Sequence, residues 1–151
     1  MLLAQKFGMY YTDRDNQQKL PYIIHRTSVG CYERTLALLI EKYAGALPTW
    51  MAPTQVKIMT ITEKGDEWAK EVEQELFSRG IRTELDLRNE KIGFKIRQAQ
   101  QEKVPYMLVI GGQEAENKMV AVRNRKEGDL GTMTLADAVA KIEEEIRTKA
   151  H

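Results

Sequence analysis

From Val56 to the end of the chain the hydrophobic period keeps changing, and that alternation leaves few folds open. Val56 to Ile61 reads as a strand. Gly65-Asp66 then opens a helix with Trp68, Val72 and Leu76 on its inner face, and Gly80 closes it. Ile81, Thr83 and Leu85 alternate with Arg82, Glu84 and Asp86, the period of a half-buried strand that runs to Leu87. From Ile92 the period changes again. Ile92, Ile96 and Ala99 fall on one helical face, and Val104-Pro105 ends the helix. Tyr106 to Ile110 is an unbroken apolar run, typical of a strand covered on both faces. Strand–helix–strand–helix–strand with short links implies parallel strands joined by crossover helices. Met119 to Asn124 reads as a fourth strand and Gly131 to Met133 as a short fifth. Thr134 to Asp137 has capping-box spacing and starts a last helix with Leu135, Val139, Ile142 and Ile146 on one face. The expected fold is a three-layer α/β domain with a mixed, mostly parallel five-stranded sheet and flanking helices.

Upstream the pattern is weaker. Thr12 to Lys19 is a polar turn between Tyr10-Tyr11 and Pro21 to Ile24, which predicts a hairpin whose second strand ends near Arg26. After a loop at Thr27 to Gly30, a helix carries Tyr32, Leu36, Leu39, Ile40 and Tyr43 as an apolar stripe, and Gly45 stops it. Leu47 to Pro53 is a proline-bounded connector. It predicts a strand–helix segment over residues 1–50 and a separate domain over 51–151.

Composition excludes several classes. The formal net charge of +1 supplies no global field toward nucleic acid, so a binding face must be local. A single cysteine, Cys31, excludes an internal disulfide framework and a cysteine-cluster zinc site, and fits a reducing compartment. No run reaches the ~18 apolar residues of a membrane span, and the first residues are too polar for a signal peptide. A soluble, cytoplasmic protein with no membrane partner is expected.

Chemistry concentrates at a few places. Arg88, Lys91, Lys95 and Arg97 gather with Asn89 where a strand hands over to a helix N-terminus, whose free N–H groups favour anions. This suits a nucleic-acid backbone and its bases; a solvated basic helix face reads equally well. Arg34 lies in the first turn of its helix, an unfavourable end for a cation. Either an anion sits nearby, or Arg34 pairs with Glu33 or Glu41. His25 suits a metal, yet no second His or Cys stands at ligand spacing, so a structural histidine is the competing reading. Gly111-Gly112 lacks the spacing of a dinucleotide or Walker loop. Asn89, Glu114 and Arg123 follow or lie on neighbouring strands, and a shared carboxyl edge, where α/β sheets bind ligands, would bring them together.

Longer stretches carry a resemblance. Ile24 to Gly45, with Gly30-Cys-Tyr-Glu-Arg34 matching motif 3, and Pro48 to Pro53 resemble the end of the class II catalytic domain of threonyl-tRNA synthetases. Asp86 to Arg97, Val104 to Val109 and Val120 to Arg125 are similar to the anticodon-binding domain of that family. The resemblance covers nearly everything from Pro21 onward. It implies a remnant of the catalytic domain followed by a complete anticodon-binding domain. In the family the motif 3 arginine, here Arg34, meets the ATP triphosphate, and the histidine matching His25 helps hold the zinc used in threonine recognition. The residues matching Asn89, Glu114 and Arg123 read anticodon bases, using edges that unstacked bases expose to amide, carboxylate and guanidinium groups. Arg88, Lys91 and Lys95 would then serve phosphates, which position RNA without specifying it. Cys31 stands where many relatives carry serine. Motifs 1 and 2, the other zinc ligands and the editing domain have no counterpart here.

The resemblance therefore implies the tRNA-binding part of a homodimeric, ATP-using threonine–tRNA ligase, with this stretch inactive by itself and carrying no cofactor. A rival reading is a stand-alone anticodon-binding-like module acting as an RNA-binding, regulatory or accessory protein. A small-ligand α/β enzyme built around Gly111-Gly112 is a third.

Overall fold

The computed structural model describes residues 2–24, 26 and 30–150. The chain divides into two compact units, residues 1–36 and 37–151.

The first unit holds a short helix, α1 (Leu2–Lys6), and a two-stranded antiparallel hairpin, β1 (Tyr11–Thr12) with β2 (Gln18–Lys19). The predicted hairpin is present but tighter than expected. Its polar residues pair with each other, the Asp13 N–H donating to Gln17 O at 2.8 Å, and Asn16 turns with φ at 59°. The strand expected from Tyr22 to Arg26 does not form among the described residues. Its described apolar residues lie open, Tyr22 and Ile24 being 80% and 88% exposed. Helix α2 (Tyr32–Tyr43) spans the division between the units and buries none of its residues, although its apolar stripe is regular.

The second unit has the expected α/β fold. In chain order it contains β3 (Val56–Thr60), a 3-10 turn (Glu63–Gly65), α3 (Asp66–Ser78), β4 (Thr83–Asp86), α4 (Ile92–Gln101), β5 (Tyr106–Ile110), α5 (Gly112–Glu116), β6 (Met119–Asn124), β7 (Gly128–Thr134) and α6 (Leu135–Thr148). One sheet has the order β4-β3-β5-β6-β7. β3 pairs in parallel with β4 and β5, while β6 and β7 add antiparallel. The fifth strand runs longer than its predicted core at Gly131 to Met133.

Strand alternation assigns the two faces. Val56, Ile58, Tyr106, Leu108, Ile110, Val120 and Val122 pack against α3 (Ala69, Val72, Leu76) and α6 (Ala138, Val139, Ile142). On the other face Met59 and Met107 meet Ala99 of α4 and Val104, with Ile92 and Ile96 at the margin. All residues of β3 and β5 are buried, as two-sided cover requires. Lys57 shares the α4 face and is 1% exposed, with its ammonium 2.9 Å from Glu84 and 2.5 Å from Glu102. Burial pulls its pKa down, but the two carboxylates outweigh that and hold it above the ordinary lysine value.

The two ends of the sheet differ. At the end where β3 starts, Arg125 donates to Ala46 O and Leu47 O at 3.1 and 2.9 Å, Thr49 to Glu145 at 2.7 Å, and Gln55 to Thr49 O at 2.9 Å. The connector is thereby fastened to the domain. At the carboxyl end the Ile61 N–H donates to Ile110 O at 2.9 Å. Gly65 packs so closely that a Cβ there would stand 3.1 Å from Ile110 Cγ2. No helix among the described residues is long and apolar enough to cross a membrane.

Candidate nucleic-acid interface

The turn from β4 to α4 is built by Asp86, whose side chain is 3% exposed at the strand end. Its Oδ1 accepts from the Arg88 N–H at 3.1 Å and from Arg88 Nε at 3.0 Å, and its Oδ2 accepts from Arg88 Nη2 at 2.6 Å. An aspartate that captures the N–H two residues on forms a local turn of its own. The Arg88 guanidinium holds the Asp86 carboxyl down to about 2 against the opposing effect of burial, and Lys95 contributes in the same direction. The same guanidinium reaches across to Gln98 Oε1 of α4 at 2.8 Å, so three of its five N–H donors are spent inside the protein.

Asn89 follows and is exposed. It lines a cleft of about 210 Å³ at the carboxyl ends of β3 and β4, with Thr60, Glu63, Asp66 and Arg88. One Asp66 oxygen is buried there without a hydrogen-bond partner. Lys91 is exposed at the N-cap of α4, with extended backbone and no side-chain cap. A cation at this end opposes the helix dipole, and an anion held beside it would reverse that cost.

Lys95 departs from expectation. It does not share an exposed face with Lys91: it is buried to 1%, and its ammonium donates to Thr60 O at 3.0 Å and Asp86 O at 3.1 Å. Around the helix, Lys95 falls three residues after Ile92 and four before Ala99, within the inward stripe. Its carbonyl partners compensate its burial, so it is not available to a phosphate.

Glu114 lies in α5, just past β5, and is half-buried. Its Oε2 accepts from the Gly111 N–H at 2.9 Å. A Cβ on Gly111 would stand 2.7 Å from that oxygen, so the glycine is what admits the carboxylate. The first amide after β5 is thus satisfied from within, where a nucleotide-binding turn would leave it for a phosphate. This geometry argues against a nucleotide site at Gly111-Gly112.

Arg123 is the second departure in placement. It pairs in register with Met107, near the start of β5, because β6 runs antiparallel to β5. It therefore lies about 10 Å back along the strand from the edge that carries Asn89 and Glu114. Its guanidinium is 35% exposed and 3.0 Å from Asp129. The Gly131 N–H and then Arg123 hold the Asp129 carboxyl below the usual carboxylate range. α4 covers Met59 and Met107 but leaves Ala121, Arg123 and Thr132 of the same sheet face partly or fully open.

Arg34 is exposed on the first turn of α2 and forms no ion pair among the described residues. Glu33, one of its two expected partners, instead accepts from the Cys31 thiol at 2.8 Å. His25 lies outside the described residues. Among those described, no cluster of three or more His, Cys, Asp or Glu side chains could hold a metal ion. Asp86, Gln98 and Asp66 are participants that sequence reasoning missed. Asp86 was detectable as an aspartate at a strand end two residues before an arginine.

Comparison with known proteins gives these features a context. Residues 55–145 match the anticodon binding domain family. A threonine–tRNA ligase of Clostridium perfringens is 59% identical over 147 residues, 97% of this chain and 23% of that protein. The threonine–tRNA ligase of Acetivibrio thermocellus is 52% identical over the same length. The chain thus spans about a quarter of the length of these relatives. Among solved structures, the RNA binding domain of threonyl-tRNA synthetase from Cryptosporidium parvum superposes with a TM-score of 0.73 at 36% identity, covering 95% of this chain and 36% of that one. Prolyl-tRNA synthetase of the same organism shares the fold, with a TM-score of 0.74 at 21% identity over 96% of this chain and 31% of that one. With its family pattern spanning most of the α/β domain, this chain belongs to the anticodon binding domain family.

Proposed function

We propose that this chain is the C-terminal, tRNA anticodon-binding part of a threonine–tRNA ligase, a class II enzyme that activates threonine with ATP and attaches it to its tRNA. The observation that carries this reading is 59% identity to a threonine–tRNA ligase across 97% of the chain. Residues 51–151 form the anticodon-binding domain, and residues 1–50 are the end of a catalytic domain. The uncovered apolar face of α2 supports the second assignment, since Tyr32, Leu36 and Ile40 are 77%, 52% and 48% exposed. Such a face needs cover from the rest of a longer protein.

Asn89, Glu114 and Arg123 read bases. Asn89 offers an exposed amide, Glu114 a carboxylate whose second oxygen has no partner among the described residues, and Arg123 a partly open guanidinium. Lys91 and the exposed half of Arg88 meet phosphates. Arg34 contacts the ATP triphosphate in the whole enzyme, and His25 contributes to its zinc site. Zinc and ATP are cofactors of the whole, longer, homodimeric, cytoplasmic protein, and Arg34 and His25 are this chain's share of their sites. The test is a titration of this chain with a threonine anticodon stem-loop and single-base-altered versions. A clear preference for the cognate loop is expected, and equal affinity for all would overturn the reading.

A further inference from the structure

Lys95 sits beneath the turn that presents Asn89. Its two hydrogen bonds go to Thr60 O and Asp86 O, the last residues of the adjacent strands β3 and β4. Its ammonium is also 3.8 Å from Asp86 Oδ1. A buried cation is costly, and a well-packed apolar side chain at such a position often serves stability as well or better. What the charge adds here is direction. It ties together two strand ends that an apolar group would leave free to shift.

Asp86 is held from both sides. Lys95 takes its backbone carbonyl, and Arg88 takes its carboxylate through Nε, Nη2 and the main-chain N–H. Arg88 is fastened in turn to Gln98 of α4, and the Glu90 N–H donates to Arg88 O at 2.9 Å. Asn89 is enclosed between these two residues, with its side chain outside. We propose that Lys95 is a positioning residue for base reading: it touches no RNA, but fixes the β3 and β4 ends so that the turn presents Asn89 in a single arrangement. This rests on the base-reading role given to Asn89 above.

The test uses Lys95→Met, which keeps the side-chain length and removes the charge and its donors. Lys95→Gln, which removes the charge and is too short to reach both carbonyls, replaces it should Lys95→Met fail to fold. The first measurement needs no RNA. Amide exchange at Arg88 and Glu90 should quicken at least about tenfold while β5 is unchanged, because the loss is local. The second measures binding of cognate and base-altered threonine anticodon stem-loops at two salt concentrations. The cognate preference should fall about tenfold with an unchanged salt slope. In an Asn89→Ala background Lys95→Met should cost no further preference, since coupled residues do not add.

Uniform weakening of all stem-loops with a shallower salt slope would make Lys95 a phosphate contact and overturn the proposal. An equal further loss in the Asn89→Ala background would do the same. Unaltered turn amides would overturn it alone, whereas wild-type protein without cognate preference would overturn the base-reading role and this proposal together.

Discussion

Asp86 and Arg88, two residues apart, close a two-pronged ion pair across the turn that follows β4, at 3.0 Å for Nε–Oδ1 and 2.6 Å for Nη2–Oδ2. The carboxylate is 3% exposed and the guanidinium 50%. One partner is anchored in the domain and the other stands at its surface. The pair therefore shapes the candidate RNA-reading turn from inside while leaving part of Arg88 for a ligand.

A pH dependence follows from this pair. Asp86 is lowered from 3.8 to about 2 in the folded protein, chiefly by Arg88. A depressed carboxylate adds stability that is fully present above the unfolded value and is lost as the pH falls through the folded one. Unfolding measured between about pH 5 and pH 2 should show this loss concentrated from about pH 4 downward. Asp86→Asn should remove that part of the slope and cost about 1–2 kcal/mol at neutral pH, a figure reduced by the solvent screening of Arg88. An unchanged acid slope in the variant would count against the pair.

Base reading and phosphate binding separate by salt. Asn89→Ala should weaken a threonine anticodon stem-loop by about 1–3 kcal/mol and reduce discrimination against altered anticodon bases. Lys91→Ala should weaken every stem-loop alike and lower the salt slope by about one, because a phosphate contact acts through counterion release. Titrations at two salt concentrations distinguish the two outcomes. If Asn89→Ala behaved like Lys91→Ala, Asn89 would not read a base.

Glu114 makes a sharper case. A carboxylate facing RNA is electrostatically unfavourable, so neutralising a bystander should tighten all RNA binding. Glu114→Gln retains an oxygen for the Gly111 N–H and should alter stability by less than about 1 kcal/mol. If the second oxygen accepts from a base edge, specificity should fall even where affinity barely moves. Gly111→Ala gives an independent check, since its Cβ would displace the carboxylate from 2.7 Å. It should reproduce the specificity loss. Uniformly tighter binding by both variants would remove Glu114 from the site.

Helix α2 should be less stable than the strands of the α/β sheet. α2 buries no residue, whereas β3 and β5 are buried throughout. Amide exchange should be fast in α2 and slowest in Val56–Thr60 and Tyr106–Ile110, the latter reporting global opening. Comparable protection in α2 would show that its apolar face has found cover, for instance in a second copy of the chain.

The α/β order was legible in the sequence because each element has enough residues to establish a period. Val72 and Leu76 on α3, Val139 and Ile142 on α6 and the unbroken run of β5 all occupy the core that their spacing implies. The β4–α4 junction was legible as well, since the period changes between Leu85 and Ile92. The first unit was not. Its short apolar runs lack the neighbours that would decide between strand and coil, and the strand expected from Tyr22 did not form among the described residues.

What the sequence by itself determined was therefore the order of elements, the helix stripes and the Asn89 turn, because these depend on residues close in the chain. Tertiary structure alone decided the fates of Lys95 and Arg123. A lysine in an apolar stripe is buried only if oxygens meet it, and those came from Thr60 and Asp86, residues 35 and 9 positions away. Arg123 moved away from the shared edge because β6 pairs antiparallel with β5, a choice of strand direction that spacing along β6 does not encode.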